Sequence, residues 1–485
     1  MTSTKAQWPG PAPARTLRPR AQAVQGEVQV NNGKRLDRNV RPVAREVSVL
    51  FAAVTALAVA APVLAQEAAA PAAVAREAAL EARVAELERL VRALGGLPAA
   101  GQPANASPAA TPAPAKLAST TPNAAAGTSF VYTGFLKTDA LWTDSQDGVI
   151  PEQTAGRDFY VPSATPVGAA AKGSNLDAHA KQTRLILGTD TPLGGDAKDK
   201  LSTRVEFDFY GTSLGDQRVT NTYSPVLRHA YVQWRHWLVG QTWSNFQDAS
   251  VLPEAVDYIG PTDGTVFVRQ PQLRYTNGGW SVALENRQAT LTPFHGGTRI
   301  TSDDGAIPDV SARYTWKPAW GQLSGALLLR QLRYRQVGTA TDGATNTAAF
   351  SLSGRVNLGQ DDVRFMAVGG NLGRYVGLNF DNDAVVDASG QLTAINGYAG
   401  FVAYRHVWLA SWRSSLYYAL EHYSNDTALT GTAVGRASSS WTANLLYSPV
   451  PKLDVGAELR YATRELETGR KGSLYRLQFT TKYSF

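Results

Sequence analysis

The amino-acid sequence predicts an all-β transmembrane barrel of sixteen antiparallel strands over residues 128–485, preceded by a short N-terminal coiled-coil helix. Three observations support the barrel. Apolar and polar residues alternate with a period of two, as in 452–464, so that each strand presents two unlike faces. Aromatic residues cluster at the ends of the apolar faces. Short turns, such as 317–321, alternate with long ones, such as 291–307, which is the pattern of outer-membrane barrels.

Residues 1–65 are predicted to be a leader that is removed. An apolar run over 47–66 follows Arg41 and Arg45 and reaches a small-residue cleavage pattern at Ala65, which is typical of a secretory signal peptide. The segment before this run indicates either a start codon placed too far upstream or a true extended leader.

Residues 66–96 are predicted to form a periplasmic coiled-coil helix, because apolar residues recur at alternating spacings of four and three. This heptad seam consists of Leu80, Val84, Leu87, Val91 and Leu94. An isolated helix of this length is marginal in water, which favours a partner chain; a single amphipathic helix lying on its own protein is the alternative. Val at a with Leu at d favours dimers in model coils. Residues 97–127, rich in Ala and Pro, are predicted to be a mobile linker.

Composition excludes several classes of site. The chain has no Cys, which rules out disulfides and Cys-based metal sites, and its six His residues show no ligand spacing, so no metal or cofactor is predicted. The net charge of +7 would suit nucleic acid, but residues 1–46 hold nine Lys/Arg and three Asp/Glu. From residue 128 onward, the sequence holds 33 basic and 32 acidic residues. The excess of positive charge belongs to the leader, and no nucleic-acid partner is predicted.

Alternation and turn positions define sixteen strand cores, of which the fourth and fifth alternate poorly. The cores are 129–143, 179–190, 201–211, 226–235, 237–243, 265–276, 280–290, 309–316, 322–335, 348–358, 362–372, 394–406, 411–423, 436–448, 452–465 and 473–485. A soluble β-sandwich also alternates, but full charges on the polar face favour a wet lumen. No apolar stretch after residue 128 reaches the length of a transmembrane helix.

A barrel of this size leaves an aqueous channel, and strand phase assigns twelve basic residues to its wall. They are Lys137, Arg184, Arg204, Arg274, Arg313, Arg355, Arg364, Arg413, Arg436, Arg460, Arg476 and Lys482. The long segment 244–264 is predicted to fold into the pore as a constriction; an ordinary external loop is the alternative. Its acidic residues are Asp248, Glu254, Asp257 and Asp263.

Four segments resemble the DcaP-like outer-membrane porins of Gram-negative bacteria: 132–148, 181–195, 227–248 and the closing TKYSF, 481–485. The resemblance implies a homotrimer in the outer membrane, surrounded by lipid and lipopolysaccharide, with the coil in the periplasm. It also implies passive uptake of small anionic solutes such as dicarboxylates. A periplasmic envelope component is a further candidate partner for the coil.

The predicted function is therefore a diffusion channel with a preference for anions, and no catalytic residue is predicted. A non-selective general porin is an alternative, since lumen charges that pair across strands only keep the wall polar. An envelope tether working through the coil is another. A membrane enzyme is disfavoured because His422 and Glu421, as neighbours in a strand, face opposite sides.

Overall fold

The computed structural model describes residues 125–485 apart from 170, 195–198, 212–220, 222, 337 and 339–341, together with the backbone of Ala115–Ala118. The leader, the heptad seam and most of the linker lie outside the described residues. Within the described part of the chain, no helix has the length and apolar character needed to cross a membrane.

The described residues form twenty-two strands and two four-residue α-helices, α1 (Ala155–Asp158) and α2 (Thr427–Thr430). The strands are β1 (Ala115–Ala118), β2 (Ser129–Ser145), β3 (Gly173–His179), β4 (Arg184–Pro192), β5 (Lys200–Asp208), β6 (Val226–Trp234), β7 (Trp237–Trp243), β8 (Arg269–Asn277), β9 (Trp280–Glu285), β10 (Ala289–Thr292), β11 (Ile300–Ser302), β12 (Asp309–Trp316), β13 (Gly321–Arg335), β14 (Asp342–Leu358), β15 (Asp361–Gly370), β16 (Ala384–Val386), β17 (Leu392–Ala394), β18 (Asn396–Leu409), β19 (Trp412–Ser424), β20 (Gly435–Val450), β21 (Leu453–Leu466) and β22 (Lys471–Ser484).

Eighteen of these strands form one antiparallel sheet, which closes where β2 pairs with β22 from Phe135–Ser484 to Ser145–Leu474. Leaving out β1 and counting β3 and β4 as one interrupted strand gives sixteen barrel strands, as predicted. The poorly alternating fourth and fifth strands, β6 and β7, are confirmed as a hairpin.

The two faces of the barrel strands differ as the alternation predicts. In β2, Leu136 and Trp142 are exposed on the outside, whereas Lys137, Asp139 and Leu141 are buried on the inside. Short turns and both ends of the barrel sequence lie at one end of the barrel, called here the turn end; the opposite end, with the long connections, is the loop end. Exposed tryptophans mark the turn end, as an interfacial girdle does. They include Trp234, Trp237, Trp280, Trp316, Trp320 and Trp408.

The predicted seventh strand, 280–290, is corrected by the structure. Barrel pairing stops at Glu285, and β10 instead joins a separate four-stranded sheet with β11, β16 and β17. This small sheet buries Leu291 and Ala384 against Leu332 of the barrel wall. The long turn predicted at 291–307 therefore holds ordered structure, because it shares an apolar core with the connection that contains β16 and β17.

Part of the predicted mobile linker is a strand. β1 pairs antiparallel with the start of β2, from Ala115–Tyr132 to Ala118–Ser129. It occupies the edge of β2 that lies beyond the end of β22, since β22 reaches only Phe135. The backbone groups at this edge are thereby paired rather than left open.

The terminal residue, Phe485, holds this seam. Its backbone pairs with Gly134, its carbonyl accepts from Thr133 Oγ1 at 2.7 Å, and its ring lies 5.3 Å from that of Tyr132. We expect Phe485→Asp to lose about 1–2 kcal/mol of barrel stability, because an aromatic contact is lost and a charge is placed at the membrane-facing side. The measurement is the folded fraction after refolding into lipid vesicles, read from heat-modifiable electrophoretic mobility.

Ser484→Asp is the matched control for this prediction, because it adds the same charge one residue away on the opposite side of the strand. An equal loss in both variants would show that the charge acts without regard to the face on which it lies, and would contradict the role given to the aromatic ring.

Candidate functional site

Residues 244–268, called here the inner segment, lie inside the barrel. Phe246, Val251 and Val266 are at most 1% exposed and pack in one apolar core with Met366 and Tyr417, which point inward from β15 and β19. The interior is therefore polar on part of its wall and apolar where the inner segment rests. Sequence alternation alone does not reveal this, because Met366 and Tyr417 interrupt an otherwise polar face.

Wall side chains hold the backbone of the inner segment along its length. The contacts are Arg313 to Gln247 O (2.6 Å), Arg364 to Leu252 O (2.5 Å), Lys137 to Val256 O (2.8 Å), Gln478 to Val256 O (3.3 Å) and Arg460 to Gly260 O (2.8 Å). In the other direction, the Val256 N–H donates to Glu458 Oε2 at 2.8 Å. The segment is thus fixed by charge-assisted hydrogen bonds, which are stronger than neutral ones.

The four acidic residues of the inner segment face partners rather than open space. Asp248 accepts from Gln322 and Ser353 of the wall, and Glu254 pairs with Arg413 at 2.9 Å. Asp257 accepts from the Tyr160 N–H, and Asp263 from the Tyr160 hydroxyl and two serines of β20. These four carboxylates are therefore engaged in the contacts that hold the inner segment in place.

A set of inward-facing basic residues, called here the basic belt, surrounds the interior toward the turn end. Its members are Lys137, Arg184, Arg204, Arg274, Arg313, Arg355, Arg364, Arg405, Arg413 and Lys482. Sequence reasoning missed Arg405, although its parity with the buried Ala403 and Phe401 would have identified it.

The pairing register of the strands places the basic-belt residues at similar height along the barrel axis. Arg274 lies opposite Ala283 and Ala283 opposite Ser311, whereas Arg313 is two residues nearer the turn end. Barrel strands tilt by about 35–45°, so a step of roughly one residue per strand keeps the height constant. The belt therefore runs around the wall rather than along it.

Most belt members on one side have a carboxylate partner. The partners are Asp139 for Lys137 (2.8 Å), Glu206 for Arg184 (3.3 Å), Asp190 for Arg204 (3.0 Å), Asp362 for Arg364 (2.6 Å) and Arg405 (2.8 Å), and Asp454 for Arg413 (2.9 Å). Lys482 lies over the ring of Phe135, with Nζ 4.9 Å from its centroid. In this sector the belt is close to neutral.

Arg274, Arg313 and Arg355, called here the basic arc, differ from the rest of the belt. Among the described residues, none of the three has a carboxylate within 4 Å. Arg274 donates to Gln272 Oε1 and to a backbone carbonyl, and Arg313 donates to Gln247 O. The buried Nε of Arg355 has no hydrogen-bond partner in the part of the chain that the structure describes. The arc is a stretch of wall whose positive charges have no direct ion pair, and carboxylates act on it only from beyond 4 Å, as Glu285 and Asp248 do on Arg313.

The structure does not bring three of the twelve basic residues into the belt. Arg460 and Arg476 are 1% and 2% exposed and hold other segments, Arg460 through Gly260 O and Arg476 through Gly156 O and Thr143. Arg436 lies exposed at the loop end, where it pairs with Glu465 at 3.2 Å. A register shift between Gly435 and Ala437 accounts for its different direction.

Sequence reasoning also missed two buried arginines. Arg228 pairs with Glu206 and Asp208, and Arg330 pairs with Asp309 and Asp383. Arg228 was not identified from the sequence because a register shift next to Glu206 interrupts the strict alternation on which the assignment of inward-facing residues depends. Arg330 is at an inward-facing position of β13, but it lies nearer the loop end than the basic belt does, beside the small loop sheet.

Nothing in the described structure forms a metal centre: no group of three or more His, Cys, Asp or Glu side chains could hold an ion among the described residues. His422 stacks on Tyr398 at 5.2 Å between centroids, on the outer face, whereas Glu421 is buried inside. The two residues are therefore on opposite sides of β19.

A sequence model of the family described as DcaP outer membrane protein matches residues 156–485. The chain belongs to the DcaP family. It is accordingly a member of a family of outer-membrane channels, and such channels are not enzymes. Among proteins with curated functions, none matches the chain.

Solved structures share the barrel fold with this DcaP-family channel. The outer membrane channel DcaP of Acinetobacter baumannii is 23% identical, with a TM-score of 0.61 over 76% of this chain and 100% of that one. Two others are more loosely similar. An anion-selective porin from Comamonas acidovorans is 12% identical, with a TM-score of 0.44 over 74% of this chain and 100% of that one. OmpF of Salmonella typhi is 10% identical, with a TM-score of 0.46 over 74% of this chain and 98% of that one.

Proposed function

We propose that this protein is a passive outer-membrane channel for small hydrophilic solutes with a preference for anions, such as dicarboxylates. The observation that carries the proposal is the basic arc of Arg274, Arg313 and Arg355, because no carboxylate of the described residues lies within 4 Å of it. A guanidinium presents a planar fork of donors that can hold both oxygens of a carboxylate.

The placement of the acidic residues supports the same preference. Rings of carboxylates make cation-selective pores, whereas rings of Arg or Lys favour anions. Asp248, Asp257 and Asp263 are at most 5% exposed and hydrogen-bonded, and Glu254 is paired with Arg413. A passing ion would therefore meet less negative than positive charge.

Ion selectivity tests the proposal directly. The full mature chain is reconstituted in a planar bilayer, and the reversal potential is measured in a KCl gradient. We expect chloride to permeate several times better than potassium, and the preference to weaken at 1 M salt, where the Debye length falls to about 3 Å. Equal permeabilities would favour the general porin, and cation selectivity would contradict the proposal.

We also propose an arrangement for the parts of the chain outside the described residues and for the assembly. Residues 1–65 are removed as leader and signal peptide, and 66–96 form a coil in the periplasm that continues through 97–127 to the barrel. The barrel at 128–485 assembles as a homotrimer within lipid and lipopolysaccharide. Conductance that closes in three equal steps supports the trimer.

A further inference from the structure

The end of the inner segment meets the wall through two carboxyl groups joined by one hydroxyl. Asp263 Oδ1 lies 2.5 Å from Ser438 Oγ, and the same Ser438 Oγ lies 2.8 Å from Glu421 Oε1. Tyr160 donates its hydroxyl to Asp263 Oδ1 at 2.6 Å, and Ser440 donates to Oδ2. All five residues are at most 4% exposed.

The number of hydrogens limits the charge that this site can carry. The hydroxyl of Ser438 has one hydrogen and can donate it to only one of its two carboxyl neighbours. The other short contact joins two oxygens and needs a second hydrogen, which only a protonated carboxyl can supply. Asp263 and Glu421 therefore hold one carboxyl proton between them.

Hydrogen bonds place this proton on Glu421. Asp263 accepts two further hydroxyls, and one of these, Ser440, accepts in turn from Arg460 at 3.3 Å. Glu421 has, apart from Ser438, one weak contact among the described residues, with the hydroxyl of Tyr423 at 3.5 Å. A negative charge is better stabilised at Asp263, which accepts more hydrogen bonds, so Glu421 is the neutral acid.

The surroundings discourage a second negative charge. The charged and titratable groups that face the pair are Arg460 and Arg464 of β21, Tyr160 of the 146–172 connection, Asp381 of the 371–395 connection and Tyr423 of β19. Burial raises the pKa of Asp263 despite its three hydroxyl donors and Arg460. This buried site can hold one negative charge. Charges on both Asp263 and Glu421 would repel each other strongly, because both groups are buried and water does not screen the repulsion.

We propose that Glu421 is a positioning residue, whose neutral carboxyl, acting through Ser438, holds Asp263 and with it the end of the inner segment against the wall. When Glu421 loses its proton, the bridge keeps only the hydrogen of Ser438, one of its two hydrogen bonds is lost, and Asp263 and Glu421 repel each other. The end of the inner segment then leaves the wall and enters the open interior. The inference concerns the width of the channel and does not depend on its ion preference.

Single-channel recording of the full reconstituted chain at different pH tests the inference. The frequency of brief closures should follow the deprotonated fraction of Glu421, which rises about tenfold per pH unit while the neutral form dominates. We expect few closures at pH 7 and a steep rise toward pH 10. A wild-type channel whose closures stay constant up to pH 10 would overturn the proposal.

Glu421→Gln separates positioning from a merely structural role, because the amide can donate to Ser438 at every pH. Its closure frequency should stay within about twofold between pH 6 and pH 10. The matched control is Glu465→Gln, which changes a partly exposed glutamate paired with Arg436 and Lys471 and should keep the wild-type rise. A full pH-dependent rise in Glu421→Gln would also overturn the proposal.

Infrared spectroscopy keeps the inference testable if Glu421→Gln does not fold. In wild-type protein labelled with carbon-13 glutamate, a protonated glutamate carbonyl band should be present at pH 7 and lost at high pH. The band should persist in Glu458→Gln and in Glu285→Gln, which remove the two other buried glutamates of the barrel wall. Its absence at pH 7 would contradict a neutral Glu421, whatever the ion selectivity of the channel.

Discussion

Replacing Arg274, Arg313 and Arg355 together by Gln should lower the chloride-to-potassium permeability ratio about tenfold at 0.1 M salt. A unit charge about 8 Å from a permeating ion contributes roughly 0.5 kcal/mol in water, and screening at 0.1 M about halves this. Three charges thus favour an anion by roughly 0.7 kcal/mol and disfavour a cation equally, which amounts to about a factor of ten in the ratio. The reversal potential in a KCl gradient measures the change.

The matched control is Arg333→Gln with Arg335→Gln and Arg436→Gln, which removes the same number of charges. In the structure these arginines lie at the loop end and pair with Asp342 or Glu465. We expect this variant to keep nearly the wild-type ratio. A comparable fall in both triple variants would mean that net charge, rather than the basic arc, determines the preference.

Arg460→Met should be a strongly destabilising single substitution in the wall. Arg460 lies 3.4 Å from Glu458, both are at most 3% exposed, and Arg460 also donates to Gly260 O. Removing one partner of a buried pair leaves an uncompensated charge, which costs about 3–5 kcal/mol. Urea unfolding of the protein in lipid vesicles measures the loss, and open-channel noise should rise because the inner segment is less firmly held.

The double variant Arg460→Met with Glu458→Gln distinguishes charge from packing. Gln keeps the oxygen that accepts the Val256 N–H but removes the unpaired charge. We expect it to recover at least half of the lost stability, since replacing both members of a buried pair is often nearly neutral. A double variant as unstable as Arg460→Met would show that the loss arises from the Gly260 hydrogen bond or from packing.

The barrel could be predicted from sequence because a period of two is a local property. The poorly alternating β6 and β7 still form a hairpin, since the turn at Arg235 and His236 fixes them. The prediction failed at β9, where the polar residues 285–288 end the barrel strand and the apolar Ala289 and Leu291 that follow belong to the small loop sheet. Alternation cannot tell an apolar face that meets lipid from one that meets another part of the chain.

The interior was less predictable than the wall, because it depends on contacts between distant residues. Parity identified Arg274, Arg313 and Arg355 as inward-facing, but not that they lack carboxylates while Arg364 and Arg413 have them. Composition identified the acidic inner segment, but not that its carboxylates turn toward the wall. Which charge remains free is decided by the tertiary fold.

The hydrogen bonds at the carbonyl oxygen of Val256 also constrain how the barrel folds. Lys137 of β2 and Gln478 of β22 both donate to this atom, and they lie 119 and 222 residues from Val256 in sequence. Neither contact gains anything until long loops have been closed, and such high contact order makes folding slow. The first barrel strand, the last barrel strand and the inner segment thus meet at a single atom, so that closing the seam between β2 and β22 also completes the site that holds the inner segment.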